Sequence, residues 1–225
     1  MNGNCLELMK TLPNKSVDLF VCDLPYGCLT PSGSKVTKTR KGGSTFAENG
    51  CAWDIKIDLV AFWVEVKRLC RNDKTPVLMF CNTRFGIDLI NSNPDWFRYD
   101  IVWDKQAGTN FLSANKQPMK SHEMIYVFSK KGANYKRIDT PVEGKKDNTR
   151  CPLSVIHFPR YKSKLHPTCK SVDLYKWLIE RYSNEGDNVL DPTAGSFNSG
   201  RACVELKRNY IGMELDNDFY EKNKI

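Results

Sequence analysis

Two short segments hold residue types that could do chemistry together. The first is Asp23-Leu24-Pro25-Tyr26-Gly27, directly after the apolar run Val17–Cys22. Asp23 offers a carboxylate and Leu24 a backbone carbonyl. Pro25 restricts Leu24 to an extended conformation and has no N–H to compete. Adjacent acceptors of this kind suit an amino group on a nucleic-acid base. Such a nitrogen is a poor nucleophile because its lone pair is delocalised into the ring. Acceptors pulling on its hydrogens would draw it toward tetrahedral geometry and aim the lone pair outward. Tyr26 supplies a flat face for a base turned out of its stack, and Gly27 leaves room. Taken alone, the same five residues also read as a strand ending in an ordinary Asp-x-Pro turn.

The second segment is Asp191-Pro192-Thr193-Ala194-Gly195-Ser196-Phe197-Asn198-Ser199-Gly200, between a strand-like run and a helix-like run. In open α/β sheets, ligands sit beyond the carboxyl ends of strands. Small residues let a ligand approach the backbone, and a following helix N-terminus favours an anionic group. Glu214 follows Gly195 at about the 20-residue spacing at which an acid grips ribose hydroxyls in nucleoside-binding folds. A dinucleotide loop requires G-x-G-x-x-G, and the middle glycine is missing between Gly195 and Gly200. A nucleoside-triphosphate loop requires G-K-[ST], and Gly200 is followed by Arg201-Ala202. Neither NAD nor ATP is supported, and a plain strand–turn–helix joint stays open for this segment by itself.

The elements that must position these segments follow from periodicity. Val17–Cys22, Pro76–Cys81, Tyr99–Trp103, Met124–Phe128, Asn188–Leu190 and Tyr210–Met213 read as strands. Ile57–Arg71, Thr83–Ile90, Ser171–Tyr182 and Ser199–Lys207 carry apolar residues at helical spacing. Strands alternating with helices predict an α/β fold with a mainly parallel twisted sheet. The close neighbours Tyr99–Trp103 and Met124–Phe128 predict an antiparallel pair at one sheet edge. Residues 130–165 lack periodicity and read as an inserted loop region within a single domain spanning 1–225.

The net charge of +8 favours a polyanionic partner. Two segments carry the excess. One holds Lys35, Lys38, Arg40 and Lys41 against Glu48. The other runs from Lys130 to Lys164 and includes Lys136, Arg137, Arg160, Lys162 and Lys164. Nine cysteines with no C-x-x-C pair, and only three histidines, do not have metal-ligand spacing. No metal is expected. An odd number of cysteines, several inside apolar runs, reads as reduced thiols, and no apolar run approaches the roughly 20 residues of a membrane span. These features predict a cytoplasmic chain with no membrane partner.

Together the two segments resemble the amino-group DNA methyltransferases. Asp23-Leu24-Pro25-Tyr26 is similar to that family's Asp-Pro-Pro-Tyr signature, and Asp191–Gly200 to its cofactor loop. Gly3-Asn4-Cys5-Leu6-Glu7 with Leu12-Pro13 and Val17-Asp18 resembles its opening segment. Ser121-His122-Glu123 and His166-Pro167-Thr168-x-Lys170 resemble two further motifs. The catalytic signature precedes the cofactor loop, as in the permuted beta class. Departures are Leu24 for the first proline, Phe197-Asn198 where Gly-Thr is common, Asn4 where Asp is common, and Ser171 for a second motif proline.

The resemblance implies a Rossmann-like methyltransferase fold with circularly permuted motifs, and transfer of a methyl group from S-adenosylmethionine to N6 of adenine in double-stranded DNA. It makes Asp23, Leu24, Pro25 and Tyr26 catalytic. For the cofactor it implies Asn4, Cys5, Asp23, His166, Thr168, Lys170, Asp191, Pro192, Thr193, Ala194, Gly195, Ser196, Phe197, Glu214 and Leu215. The basic residues named above would contact DNA, with residues 130–165 reading the target site. Cytosine N4, an RNA amino group and a catalytically silent nucleic-acid-binding subunit stay open as alternatives. A homodimer and a companion restriction enzyme are likewise open. Short forms of this kind resemble those of phages and other bacterial mobile elements, which implies a bacterial or phage-encoded chain.

Overall fold

The computed structural model describes residues 1–27, 56–109, 111–141, 149–160 and 169–225. In chain order the elements are α1 (Cys5–Lys10), β1 (Leu19–Cys22), α2 (Leu59–Leu69), β2 (Val77–Cys81), α3 (Thr83–Ser92), β3 (Phe97–Thr109), β4 (Lys120–Phe128), β5 (Thr140–Pro141), β6 (Thr149–Arg150), β7 (Val155–His157), α4 (Val172–Tyr182), β8 (Asn188–Asp191), α5 (Asn198–Glu205), β9 (Asn209–Gly212) and α6 (Asn217–Asn223).

Among the described residues, seven strands form one sheet in the order β7-β3-β4-β2-β1-β8-β9. The pairs β1–β2, β1–β8, β8–β9 and β3–β7 are parallel, and β4 runs antiparallel to both β2 and β3. The antiparallel pair expected from the sequence is present, but not at the edge. Val155–His157, inside the stretch expected to be loop, adds β7 outside β3. Three residues are too few to carry a periodic signal, so only the pairing of Val102 with Val155 and Trp103 with Ile156 reveals this strand. Residues 140–141 and 149–150 form a separate two-stranded ribbon.

Side-chain alternation along the central strands feeds two cores. Phe20 and Cys22 of β1 and Val77, Met79 and Cys81 of β2 face α1, α2 and α3, where they meet Met9, Phe62, Trp63, Val66, Leu69, Phe85 and Leu89. Leu19, Val21, Leu78, Phe80 and Val189 face the other way, onto Leu174, Leu178 and Ile179 of α4 and Ala202 and Cys203 of α5. Burial on both faces is why these strands read as continuous apolar runs. The helices begin where polar side chains satisfy free backbone N–H groups. Asp58 accepts from Val60 and Ala61, Asn82 from Phe85, and Ser171 from Leu174. Helix α1, short and not evident from periodicity, is capped by Asn4, whose Oδ1 accepts from the Leu6 N–H at 2.9 Å.

Helix α5 packs tightly on β9. A Cβ added at Gly200 would lie 2.6 Å from Cε1 of Tyr210. Gly200→Val should therefore destabilise the fold by about 1–3 kcal/mol through overpacking, read as a lower urea midpoint. An unchanged midpoint would contradict the close approach of α5 to Tyr210.

Candidate active site

The pairing of β1 with β8, Leu19 opposite Val189 and Phe20 opposite Leu190, brings both chemistry-bearing segments to one end of the sheet. Paired strands lie about 4.8 Å apart. Asp23 and Asp191 leave the sheet from neighbouring strand ends, and the segments that hold Tyr26 and Gly195 start side by side.

Asp23 is held from two directions. The Tyr26 hydroxyl donates to its Oδ1 at 2.9 Å, and the Lys170 ammonium donates to its Oδ2. The Tyr26 ring stacks on Phe85 at 5.1 Å, so one of its faces is covered by α3. Burial, and then the Asp23 carboxylate, push the Tyr26 hydroxyl far above its ordinary range, which keeps it a proton donor to that carboxylate. Leu24 is buried in the core below.

Lys170 is only 4% exposed and is the centre of a charged group. Its Nζ lies 4.5 Å from the centre of the Phe80 ring and 3.9 Å from Oε2 of Glu123, whose Oε1 accepts from Lys105 at 3.0 Å. Burial works against the Lys170 ammonium, but Asp23 and Glu123 outweigh it and hold its pKa above the usual value. Burial would likewise raise Glu123, and Lys170 and Lys105 hold it below the ordinary carboxylate range. The Lys170 backbone is pinned as well: its carbonyl accepts from Nδ2 of Asn198 at 2.7 Å. Asn198, the first residue of α5, thus ties that helix to the residue that holds Asp23.

The Asp191–Gly195 turn is closed by its own carboxylate. Asp191 Oδ1 accepts from the Thr193 N–H at 3.0 Å, and Oδ2 accepts from the Ser199 hydroxyl at 2.5 Å. The Ser199 oxygen also lies 2.9 Å from the Tyr210 hydroxyl. Burial pushes the Asp191 carboxyl up to about 7 against these hydrogen bonds, and Asp23 and Glu214 add to the rise. Glu214, at the end of β9, accepts from the Gly195 N–H through Oε2 at 2.8 Å and from the Asp216 N–H through Oε1 at 2.9 Å. The Gly3 N–H donates to the Glu214 carbonyl at 2.8 Å, which brings Asn4 and Cys5 beside the same loop. Cys5 is buried and its thiol is pushed up to about 11 by that burial.

The remaining expected residues divide clearly. Pro192, Ala194 and Ser196 are buried in the loop, and Leu215 is exposed beside Glu214. The Phe197 ring is buried against Tyr210 at 6.2 Å and Tyr220 at 5.9 Å, which anchors the loop from behind. Its backbone adopts a left-handed φ of 56°, a conformation that glycine enters more freely than other residues. Arg160 lies at the catalytic end, its N–H donating to the Lys105 carbonyl at 2.9 Å. Lys136 and Arg137 do not. The Lys136 N–H donates to the carbonyl of Arg181, in the last turn of α4, and Arg137 pairs with Asp139. Helix α4 runs from Lys170 to the opposite end of the sheet, about 16 Å away for its 11 residues. Lys35, Lys38, Arg40, Lys41, Lys162, Lys164, His166 and Thr168 lie outside the described residues.

Sequence reasoning missed Lys105, Ser199 and Tyr210 as parts of the site, and took Glu123 only as part of a motif. Each acts through a partner on a different element of the fold, which residue type and spacing do not reveal. Among the described residues, no group of three or more His, Cys, Asp or Glu side chains could hold a metal. No described helix is long and apolar enough to cross a membrane.

A sequence profile of the DNA methylase family matches residues 17–224. The chain belongs to that family. The methylase is 29% identical to the type II methyltransferase M.HinfI of Haemophilus influenzae over 98% of this chain and 66% of that protein. It is 27% identical to the DNA adenine methyltransferase YhdJ of Escherichia coli K12 over 97% of this chain and 79% of that protein. Among solved structures, M1.HpyAVI in complex with SAM superposes with a TM-score of 0.62 at 21% identity, covering 100% of this chain and 98% of that one. The cytosine-N4-specific PvuII DNA methyltransferase superposes at 0.66 and 15% identity, covering 96% and 81%. These likenesses establish the Rossmann-like methyltransferase fold for the methylase. The family's donor is S-adenosylmethionine, and its acceptors are base amino groups in DNA.

Two measurements test the site. Lys170→Met strands Asp23 and Glu123 without their shared cation and should cost about 3 kcal/mol of stability; in the Asp23→Asn background the same change should cost clearly less. Equal costs in both backgrounds would dissolve the proposed coupling. For Asp191, the unfolded carboxyl ionises near pH 4 and the folded one near 7. The folded state therefore binds more protons between those values. Its stability should fall as pH rises from about 4 to about 7, by up to about 1.4 kcal/mol per pH unit. Asp191→Asn should flatten that slope in urea unfolding measured at pH 5 and pH 8. Parallel wild-type and variant profiles would remove the buried-carboxyl account.

Proposed function

We propose that this chain methylates the N6 amino group of adenine in double-stranded DNA, using S-adenosylmethionine. The observation that carries the reading is the direct pairing of β1 with β8, which sets the Asp23 acceptor beside the Asp191–Gly195 loop. The Asp-led signature and the YhdJ relative, named as a DNA adenine methyltransferase, support adenine over cytosine.

The residues fit the cofactor. Among the described residues, the buried Thr193 Oγ1 has no hydrogen-bond partner. Gly195 sits at a left-handed φ of 49°, and a Cβ there would meet nothing closer than the Thr193 carbonyl at 4.0 Å, leaving the loop backbone open to a ligand. When bound, the cofactor supplies an electrophilic methyl group on a sulfonium. Glu214 would take its ribose, and the Asp191–Gly195 backbone with Lys170 its methionine end. Asp23 and the Leu24 carbonyl would hold the amino group, and the face of Tyr26 turned away from Phe85 would meet the flipped base. Positioning of this kind contributes about 7–11 kcal/mol in well-oriented reactions. The Lys170 ammonium, paired with Asp23, fixes the position of that acceptor carboxylate. Residues 130–165 are proposed as the target-reading region, and within them Arg160 reaches the catalytic end through its N–H bond to the Lys105 carbonyl.

Labelled cofactor and mixed DNA, followed by mass spectrometry of the nucleosides, tests the reading. N6-methyladenine is expected. N4-methylcytosine would replace adenine by cytosine, and no labelled DNA would reduce the chain to a silent binding subunit. Asp23→Ala should lower transfer by about 10²–10³-fold or more while cofactor binding by calorimetry persists. Undiminished turnover would refute the role of Asp23.

A further inference from the structure

The β3–β4 hairpin reaches past the active site as a bent, preformed finger. Asp104 pairs with His122, but the next pair is Thr109 with Lys120, so β3 carries three extra residues at a bulge. Gln106, inside the bulge, has a left-handed φ of 53°, and its N–H donates to Asp104 Oδ1 at 2.9 Å. Bulges of this kind bend a strand and re-aim what lies beyond it. The Thr109 hydroxyl donates to the Lys120 carbonyl at 2.7 Å and closes the finger. At its tip, Phe111–Ser113 form a 3-10 turn, with the Ala114 N–H donating to the Phe111 carbonyl at 2.9 Å and the Gln117 N–H to the Ser113 carbonyl at 3.0 Å. Met119 lies across Gly108, where a Cβ would sit 2.6 Å from Met119 Cε.

The tip presents apolar side chains to water. Phe111 is 76% exposed, Leu112 92% and Met119 41%. Single exposed apolar residues need no explanation, but here three share one ordered tip. From Lys105 to Lys120 the segment carries three lysines and no acid. The finger also rises from the catalytic end. Glu123, beside Lys170 and Asp23, is three residues below Lys120 on β4, about 10 Å along the strand.

We infer that Phe111 and Leu112 form a wedge that enters the DNA stack beside the target base and keeps it flipped. The inference rests on the DNA-methylating function proposed above. A base turned into the site leaves a gap in the duplex, and unstacking and unpairing oppose the flip. Apolar side chains inserted at a base step offset that opposition in many DNA-distorting proteins. Lysines without acids complement a phosphate backbone, which favours DNA over a second copy of this chain as the occupant.

The test compares two duplexes carrying one mapped target site: one fully paired, the other with the target base opposite an abasic position. The Phe111→Ala/Leu112→Ala variant should methylate the paired duplex at least about tenfold more slowly than wild type, and the abasic duplex within about twofold of it, because no pair must be broken there. Unchanged thermal melting would show that the exposed tip was altered without unfolding the chain. Equal loss on both duplexes, or no loss on either, overturns the wedge while the methylation reading stands. Equal loss accompanied by a fall from dimer to monomer mass overturns it in favour of a contact between copies. A wild-type chain that methylates neither duplex removes the underlying function and the wedge with it.

Discussion

Parallel pairing between β1 and β8 is the constraint on which the site depends. Both strands are four residues long and buried, and together they bring an acceptor carboxylate and a small-residue turn out of the sheet side by side. Neither segment has that chemistry by itself. Asp23 is an ordinary strand-end aspartate until the cofactor-loop side of the cleft adjoins it. The Asp191 turn is an ordinary joint until a reactive group can be placed beside it. Backbone hydrogen bonding between neighbouring strands sets their separation, so the fold positions the two halves before any ligand arrives.

The charges at this junction are arranged so that burial does not neutralise them. Lys170 lies between Asp23 and Glu123, and Lys105 holds the far side of Glu123. An isolated ion at this depth would lose its charge, whereas opposite charges at these distances preserve it. Asp191 is treated differently. It lacks a described cation partner among its hydrogen bonds, and its neighbours are a backbone N–H and a hydroxyl. Its carboxyl is accordingly pushed up to about 7, against the hydrogen bonds it receives. Two aspartates at adjacent strand ends thus have different surroundings: Asp23 faces the Lys170 ammonium, and Asp191 faces a backbone N–H and a hydroxyl.

The departures from the family pattern become intelligible in three dimensions. Phe197 fills a pocket between Tyr210 and Tyr220 and accepts a left-handed backbone to do so. Asn198 uses its amide to hold the Lys170 carbonyl, and also lies 3.1 Å from the Cys169 sulfur. Asn4 uses its side-chain oxygen to cap α1. Leu24, in place of a proline, places its side chain in the core and leaves the chain direction to Pro25.

The sequence alone determined what is local. Runs buried on both faces announced the central strands, 3.6-residue spacing announced α2, α3 and α4, and residue types with their order singled out the two segments that meet at the ends of β1 and β8. Partners distant in sequence were beyond it. Lys170 reaches Asp23 across 147 positions, Asn188 holds the backbone ahead of β1 across 172, and β7 exists only because β3 offers it an edge. Nor does charge say where Lys136 and Arg137 lie: the Lys136 N–H donates to the Arg181 carbonyl at the far end of α4, and Arg137 pairs with Asp139. Composition records how many charges a segment has. Only the packing of one element against another decides which end of the molecule they reach, because contact energies act through space and the chain's order does not encode those distances directly.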